Sequence, residues 1–334
     1  MDDHSVMLRR RSVILVYLAT MFHFADSFGL RSRRRSATLA VVRPFWAAEL
    51  STLEGTLLAS SAPKACENGP LPVDLVLYYA EGSNSTVDLA LRSLAEKLAH
   101  GSCYQEVHVK YAGIEEDVAY PASPCTQFVD MFTTKPSPLW GYSAIYLMEL
   151  DVQPVQDNWL KGILPVMHEA ALGKVWVAGG VYNLQCMVTP RGRSLWQKKL
   201  DNGANASYLE HGSKWWNNRH INGNGVYSSS ADFVEWVKAN WGRRQGGPGA
   251  ATDRCESEGG YDEIMFLEAK NDFRGTPGGR ARWREDGRFM DCKPVGEHKT
   301  AHTMESAQLR NTFPEALLVH SSGGLQHRSV FIQF

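Results

Sequence analysis

Apolar residues follow two rhythms through the middle of this chain, and their alternation predicts the architecture. Val73-Asp74-Leu75-Val76-Leu77-Tyr78-Tyr79 is a nearly continuous apolar run closed by Glu81-Gly82-Ser83, which reads as a buried strand. Val87 to His100 follows with Leu89, Leu91, Leu94 and Leu98 at mostly helical spacing. Tyr104 to Tyr111 alternates as a second strand, with Val107 and Val109 on one face. Tyr142 to Leu150 is a third, almost wholly apolar strand. Trp159 to Leu172 is helical, and Val175 to Ala178 is a further strand ending at Gly179-Gly180. Strands separated by helices of this length imply a mainly parallel central sheet flanked by helices.

The second half loses this rhythm. Residues 241–260 and 271–300 are rich in Gly, Arg and polar residues and read as surface loops, around a short helix with an acidic start over Tyr261 to Ala269. Ala316 to His320 is a short apolar strand running into Ser321-Ser322-Gly323-Gly324. The expected fold class is therefore α/β, a single domain over residues 70–334 with an irregular, loop-rich C-terminal half.

The amino terminus reads as an address. Arg9, Arg10 and Arg11 precede the apolar stretch Val13 to Phe22, and Ala25-Asp26-Ser27 has the small-x-small pattern of a cleavage site. Residues 1–30 are expected to be a signal peptide or an uncleaved signal anchor, the one place where a membrane would be met. Residues 31–69 are expected to form a poorly ordered stem or transit segment. The destination is the secretory pathway, as a Golgi-lumenal or single-pass type II protein. A two-part plastid address is the alternative.

Six cysteines, Cys66, Cys103, Cys125, Cys186, Cys255 and Cys292, are scattered without a CxxC pair, so a structural zinc site is not expected. In an oxidising lumen they allow up to three disulfides in any of fifteen pairings. Asn84-Ser85-Thr86 and Asn205-Ala206-Ser207 are glycosylation acceptors. The net charge is -1, and the chain beyond the seven Arg and three Asp of its first 35 residues is mildly acidic. That argues against a nonspecific nucleic-acid binder. There is no G-x-x-x-x-G-K-[ST] loop, no G-x-G-x-x-G fingerprint after a strand and no G-x-S-x-G elbow.

The chemistry concentrates at Tyr146-Leu147-Met148-Glu149-Leu150-Asp151-Val152-Gln153-Pro154, where an apolar strand delivers two carboxylates to its carboxyl end. Ligands collect at such ends in open α/β sheets. Carboxylates there suit Mg²⁺ or Mn²⁺, and such an ion can bridge them to a diphosphate. Glu149-Leu150-Asp151 resembles the acidic metal-binding motif of GT-A-type glycosyltransferases, which use nucleotide-diphosphate sugars. The usual Asp-x-Asp has Glu first here. The resemblance extends over about residues 71–325 and takes in Val73 to Tyr79, His220-Ile221-Asn222-Gly223-Asn224-Gly225-Val226-Tyr227, Tyr261-Asp262-Glu263 and Leu318-Val319-His320.

That resemblance implies a metal site of Glu149, Asp151 and His320, holding Mn²⁺ (or Mg²⁺). It implies nucleoside contact through Asp74 or Tyr79. His220, Asn222, Gly223 and Asn224 would sit in a loop that positions a sugar, unless Asn-Gly simply makes a turn between strands. Asp262 or Glu263 would address the acceptor hydroxyl, unless they only start a helix. The implied partners are a nucleotide-diphosphate sugar donor and a glycan or glycoprotein acceptor. The alternative is a secreted carbohydrate-binding protein, or a catalytically inactive transferase relative.

Overall fold

Eight residues that the hydrophobic pattern consigns to a stem form the middle of the sheet. In the computed structural model Thr38–Phe45 (β1) pairs in parallel with Val73–Tyr79 (β2) on one side and Tyr142–Met148 (β4) on the other. Leu39, Ala40, Val41 and Val42 are fully buried there. The expected stem of residues 31–69 is thus corrected: it contains β1 and a helix, Leu50–Leu58 (α1). The apolar run is short, follows four arginines between Arg31 and Arg35, and is cut by Arg43-Pro44, so it does not announce itself as a strand. The structure describes residues 38–321 apart from several segments, the longest being 204–220, 242–252, 266–281 and 293–301.

The remaining strands are Val107–Tyr111 (β3), Val152–Pro154 (β5), Val177–Val181 (β6), Met187–Val188 (β7), Ile221–Ser228 (β8), Trp283–Glu285 (β9), Phe289–Asp291 (β10), His302–Thr303 (β11) and Leu318–His320 (β12). Seven of the twelve strands among the described residues form one sheet in the order β3-β2-β1-β4-β8-β6-β9. Four of its six pairings are parallel; β8 runs antiparallel to both its neighbours. The mainly parallel α/β architecture expected from the sequence is present. A second sheet, β10-β12-β5, and a two-stranded ribbon, β11-β7, complete the described strands.

Helices cover both faces, as a sheet buried on both sides requires. Ser85–Ala99 (α2) and Trp159–Ala171 (α4) place Leu91, Leu94, Leu160, Ile163 and Val166 against Leu75, Leu77 and Tyr146. Ala122–Thr133 (α3) and Ala231–Asn240 (α6) place Phe128, Phe132, Phe233 and Val237 against Val76, Ile145 and Tyr227 on the other face. Asn84, one of the glycosylation acceptors, caps α2 by accepting the Val87 N–H at 3.0 Å. Leu195–Asp201 (α5), Asp253–Ser257 (α7) and Ser306–Thr312 (α8) are short.

All six cysteines pair: Cys66–Cys103, Cys125–Cys255 and Cys186–Cys292. Two details fix the small sheet beside the large one. A Cβ on Gly180 would lie 2.5 Å from the Phe289 carbonyl oxygen, so only glycine lets β10 approach β6 this closely. Cys292, directly after β10, is tied to Cys186. Both strands at 283–291 fall in a stretch whose Gly and Arg content suggests only loop; each is three residues long, too short to show a period.

Candidate metal centre

The acidic pair lies on a turn, not on a continuing strand. β4 ends at Met148, and the Val152 N–H donates to the Glu149 carbonyl at 3.0 Å as the chain enters β5. β5 then pairs antiparallel with β12 so that Val152 stands opposite His320, and Ser321 N–H donates to the Asp151 carbonyl at 3.0 Å. This register delivers the histidine from 169 residues away in sequence to the acids. His320 Nε2 lies 3.0 Å from Asp151 Oδ1 and 3.5 Å from Glu149 Oε2. One ligand atom from each of Glu149, Asp151 and His320 falls within 4.8 Å of the others.

Solvent reaches only one side of this cluster. His320 is 0% exposed, whereas the two carboxyl side chains keep 26% each. Glu149 accepts a hydrogen bond from Tyr261 Oη at 3.0 Å, and the Tyr261 ring stacks on Phe128 with centroids 4.2 Å apart. On the far side of the imidazole, Nδ1 is 3.5 Å from Asp291 Oδ1. Burial alone would push the imidazole's pKa down, but Asp151 and Asp291 together outweigh it and hold the ring charged up to about 10.

The donor set fits a divalent cation. Two half-open carboxylates and an imidazole converge, and neither ring nitrogen makes a hydrogen bond of good geometry despite complete burial. An imidazole between carboxylates with no aligned partner is what a ligand shell would look like before a cation replaces the ring proton. Mn²⁺ suits a mixed oxygen and imidazole set better than Mg²⁺ does.

One residue of the unexpected first strand and one just after it lie within the field of Asp151. Arg43 is 2% exposed, its Nε has no hydrogen-bond acceptor, and burial lowers its pKa against the opposing fields of Tyr104, Tyr146 and Asp151. Glu49, just beyond β1, accepts the Trp46 N–H at 2.9 Å. Burial pushes its carboxyl up, the Trp46 bond opposes this, and Asp151 adds to the rise. Arg43 and Glu49 were invisible to a reading that placed residues 31–69 in a stem. Tyr261 stands beside the expected acids Asp262 and Glu263, and nothing local in the sequence marks its contact with Glu149.

Other expected site residues divide. Tyr79 closes β2 at the carboxyl end of the sheet and donates to Glu81 Oε2 at 2.9 Å. Asp74 lies five residues earlier, about 16 Å along the strand, where it accepts from Tyr142 Oη at 3.0 Å. It does not share the site with Tyr79. Asn224 is neither in a loop nor in a turn: β8 is a strand between β4 and β6, with Asn224 opposite Met148. Its side chain is wholly buried and accepts from Tyr146 Oη at 2.6 Å, which removes it from direct sugar contact. A Cβ on Gly179 would lie 2.6 Å from the Asn224 carbonyl, so the Gly-rich texture here serves strand packing. His220, Asp262 and Glu263, and the side chains at Asn222 and Gly223, lie outside the described residues.

No family model and no curated protein matches the chain. Solved structures with a similar course of the backbone include mouse xyloside xylosyltransferase 1 in its apo form, at 10% identity and a TM-score of 0.42, covering 86% of this chain and 98% of that one. The galactosyltransferase LgtC with donor and acceptor sugar analogues gives 10% and 0.40 over 85% and 87%. The mannosyltransferase PcManGT from Pyrobaculum calidifontis, with GDP-Man and Mn²⁺, gives 11% and 0.39 over 82% and 66%. At these identities and scores they add no weight to a function, which rests on this chain's own side chains.

Proposed function

We propose that the chain is a metal-dependent glycosyltransferase that moves a sugar from a nucleotide-diphosphate donor to a glycan or glycoprotein acceptor. The observation that carries this reading is the convergence of Glu149, Asp151 and His320 at the carboxyl end of a mainly parallel sheet. These three residues would hold Mn²⁺ or Mg²⁺. Such an ion supplies Lewis-acid stabilisation of a departing diphosphate.

The protein's own groups then have separate tasks. Tyr261 donates to Glu149 Oε1 and so fixes the carboxylate that would help hold the ion. The carboxyl end of β2, where Tyr79 holds Glu81, would face the nucleoside. Asp262 and Glu263 follow Tyr261 directly, and the contact of Tyr261 with Glu149 supports one of them as the group that addresses the acceptor hydroxyl. In transfer the bond from the anomeric carbon to the diphosphate oxygen breaks, its electron pair leaving with the phosphate. The acceptor oxygen forms the new bond, and in an inverting course its proton passes to that carboxylate.

Three disulfides fit an oxidising compartment, which supports the secretory address. No helix among the described residues is long and apolar enough to cross a membrane.

A thermal-shift panel of nucleotide-diphosphate sugars, with and without Mn²⁺, tests the reading. One nucleotide class should raise the melting temperature only with the metal, by about 2.7 kcal/mol of stabilisation at a hundredfold excess over Kd. Asp151→Asn should lose that response and transfer together. Sugar binding without a nucleotide and indifferent to chelator would instead establish a carbohydrate-binding protein.

A further inference from the structure

Asp291 is the most deeply placed acid near the metal centre. It closes β10 and is 2% exposed. β10 and β12 pair in parallel with Asp291 opposite His320, and the Cys292 N–H donates to the His320 carbonyl at 2.8 Å. The Asp291 carbonyl in turn accepts from the Asn183 N–H at 2.7 Å. Its backbone is therefore held on both sides, next to the Cys186–Cys292 disulfide and behind the close approach at Gly180.

The side chain faces the imidazole of His320. Asp291 Oδ1 is 3.5 Å from His320 Nδ1, while Nε2, on the opposite edge of the ring, faces Glu149 and Asp151. Carboxylates face both ring nitrogens, so once a cation takes the place of the proton on Nε2 the remaining proton belongs at Nδ1, on the Asp291 side. That leaves the Nε2 lone pair directed at the point where the three ligand atoms converge. A histidine that binds metal through one nitrogen and donates from the other to a carboxylate is fixed in tautomer and orientation, and is the more basic for it.

We infer that Asp291 is a positioning residue which holds His320 with Nδ1 protonated and Nε2 turned to the cation. The inference rests on the reading of Glu149, Asp151 and His320 as the ligand set. Asp291 touches neither the cation nor the substrate. Its effect on transfer runs through His320.

The test is Mn²⁺ uptake by the full chain, followed through the electron paramagnetic resonance signal of the free ion, alongside thermal melts. Asp291→Leu should bind Mn²⁺ about 10- to 100-fold more weakly than wild type. Asp291→Asn, which keeps an accepting oxygen and loses the charge, should fall between the two. A merely structural role would lower the melting temperature and leave the affinity of the folded protein alone. Either folded variant binding within twofold of wild type overturns the inference, and if the leucine variant does not fold the asparagine variant decides. His320→Ala is the control. If wild type binds and His320→Ala does not, normal binding by the Asp291 variants sinks this inference only. If wild type itself takes up no Mn²⁺, the ligand set falls and this inference with it.

Discussion

Two places among the described residues bring a histidine and two carboxylates within 4.8 Å of one another, and they differ in almost everything else. At the carboxyl end of the sheet, Glu149, Asp151 and His320 surround a fully buried ring, and a further acid stands behind it. Toward the amino end, His108 Nε2 lies 3.4 Å from Asp74 and 3.2 Å from Glu106, but the ring is 27% exposed and Glu106 46%. Asp74 already accepts from Tyr142, and β3 is the last strand of its sheet. Ligand-atom spacing is thus common to both clusters. What separates them is enclosure, a second partner for the imidazole, and position at the end of the strands where open α/β sheets take ligands.

The largest expected effect breaks or upholds that contrast directly. His320→Ala should weaken Mn²⁺ binding by more than about 100-fold, since even an outer partner of a ligand is worth about 10- to 100-fold. His108→Ala should leave binding within twofold. Isothermal titration of both variants with Mn²⁺ decides it. Equal losses would mean that spacing alone makes a site, and the assignment of the centre to the carboxyl end would fail.

The disulfides extend the comparison from ligands to scaffold. Cys186–Cys292 spans 106 residues and Cys66–Cys103 spans 37, so their removal as Cys→Ala pairs should cost about 5 and about 4 kcal/mol by loop entropy. Only the first carries Asp291 on its adjacent strand, whereas the second ties the segments leading into β2 and β3. Urea melts should show both losses. Mn²⁺ affinity of the folded protein should fall only for Cys186 and Cys292, and an equal fall for both pairs would show that the centre merely tracks global stability.

How far the sequence carried this picture follows from the length of each signal. β2, β4, α2 and α4 are long, strongly patterned elements, and their places were legible in the apolar rhythm. So were the acids of the centre, because a polar pair terminating an apolar strand is a local event. β1 was lost because its apolar core is brief and ends at Arg43-Pro44, and with it went Arg43 and Glu49. β9 and β10 were lost because three residues cannot display a period. Asn224 misled for another reason: Asn-Gly-Asn-Gly carries turn chemistry, yet glycines at 179 and 225 are there because two strands pack too closely for a Cβ. Asp291 has no local mark at all, since its meaning depends on a register with His320 that only the fold creates.

A third acid shows what a carboxylate without a use for cations looks like. Asp286 accepts from Arg288 Nε at 2.8 Å and from its Nη2 at 2.6 Å, with Arg284 at 3.4 Å. Burial pushes this carboxyl up, but the bonds and charge of Arg288 more than offset it and hold it below the ordinary aspartate range. A depressed folded-state pKa means stability that is present above about pH 3.9, the unfolded value, and lost as pH falls through the folded one. Asp286→Asn should therefore cost about 1.5–3 kcal/mol near neutrality. The gap from wild type should close in melts below about pH 4, with Mn²⁺ affinity unchanged throughout. A gap that persists in acid would mean the contribution is packing and not charge.

The smallest effect probes the finest difference between the two histidine clusters, the hydroxyl that fixes Glu149. Tyr261→Phe keeps the ring on Phe128, stacked at 4.2 Å, and deletes only the donor to Glu149 Oε1. Because Glu149 keeps 26% exposure, water can replace the lost donor, so the cost should be that of one net hydrogen bond, about 0.5–1.5 kcal/mol. Read as Mn²⁺ affinity this is about a 2- to 12-fold loss, at 1.4 kcal/mol per factor of ten. The matching change at the amino-end cluster, Tyr142→Phe, removes the donor to Asp74 and should leave Mn²⁺ affinity where it was. The two substitutions delete the same atom from two clusters that differ in enclosure. A loss confined to Tyr261→Phe would locate the ion beside Glu149, whereas no loss in either would place Tyr261 in the packing of α3 and outside the metal shell.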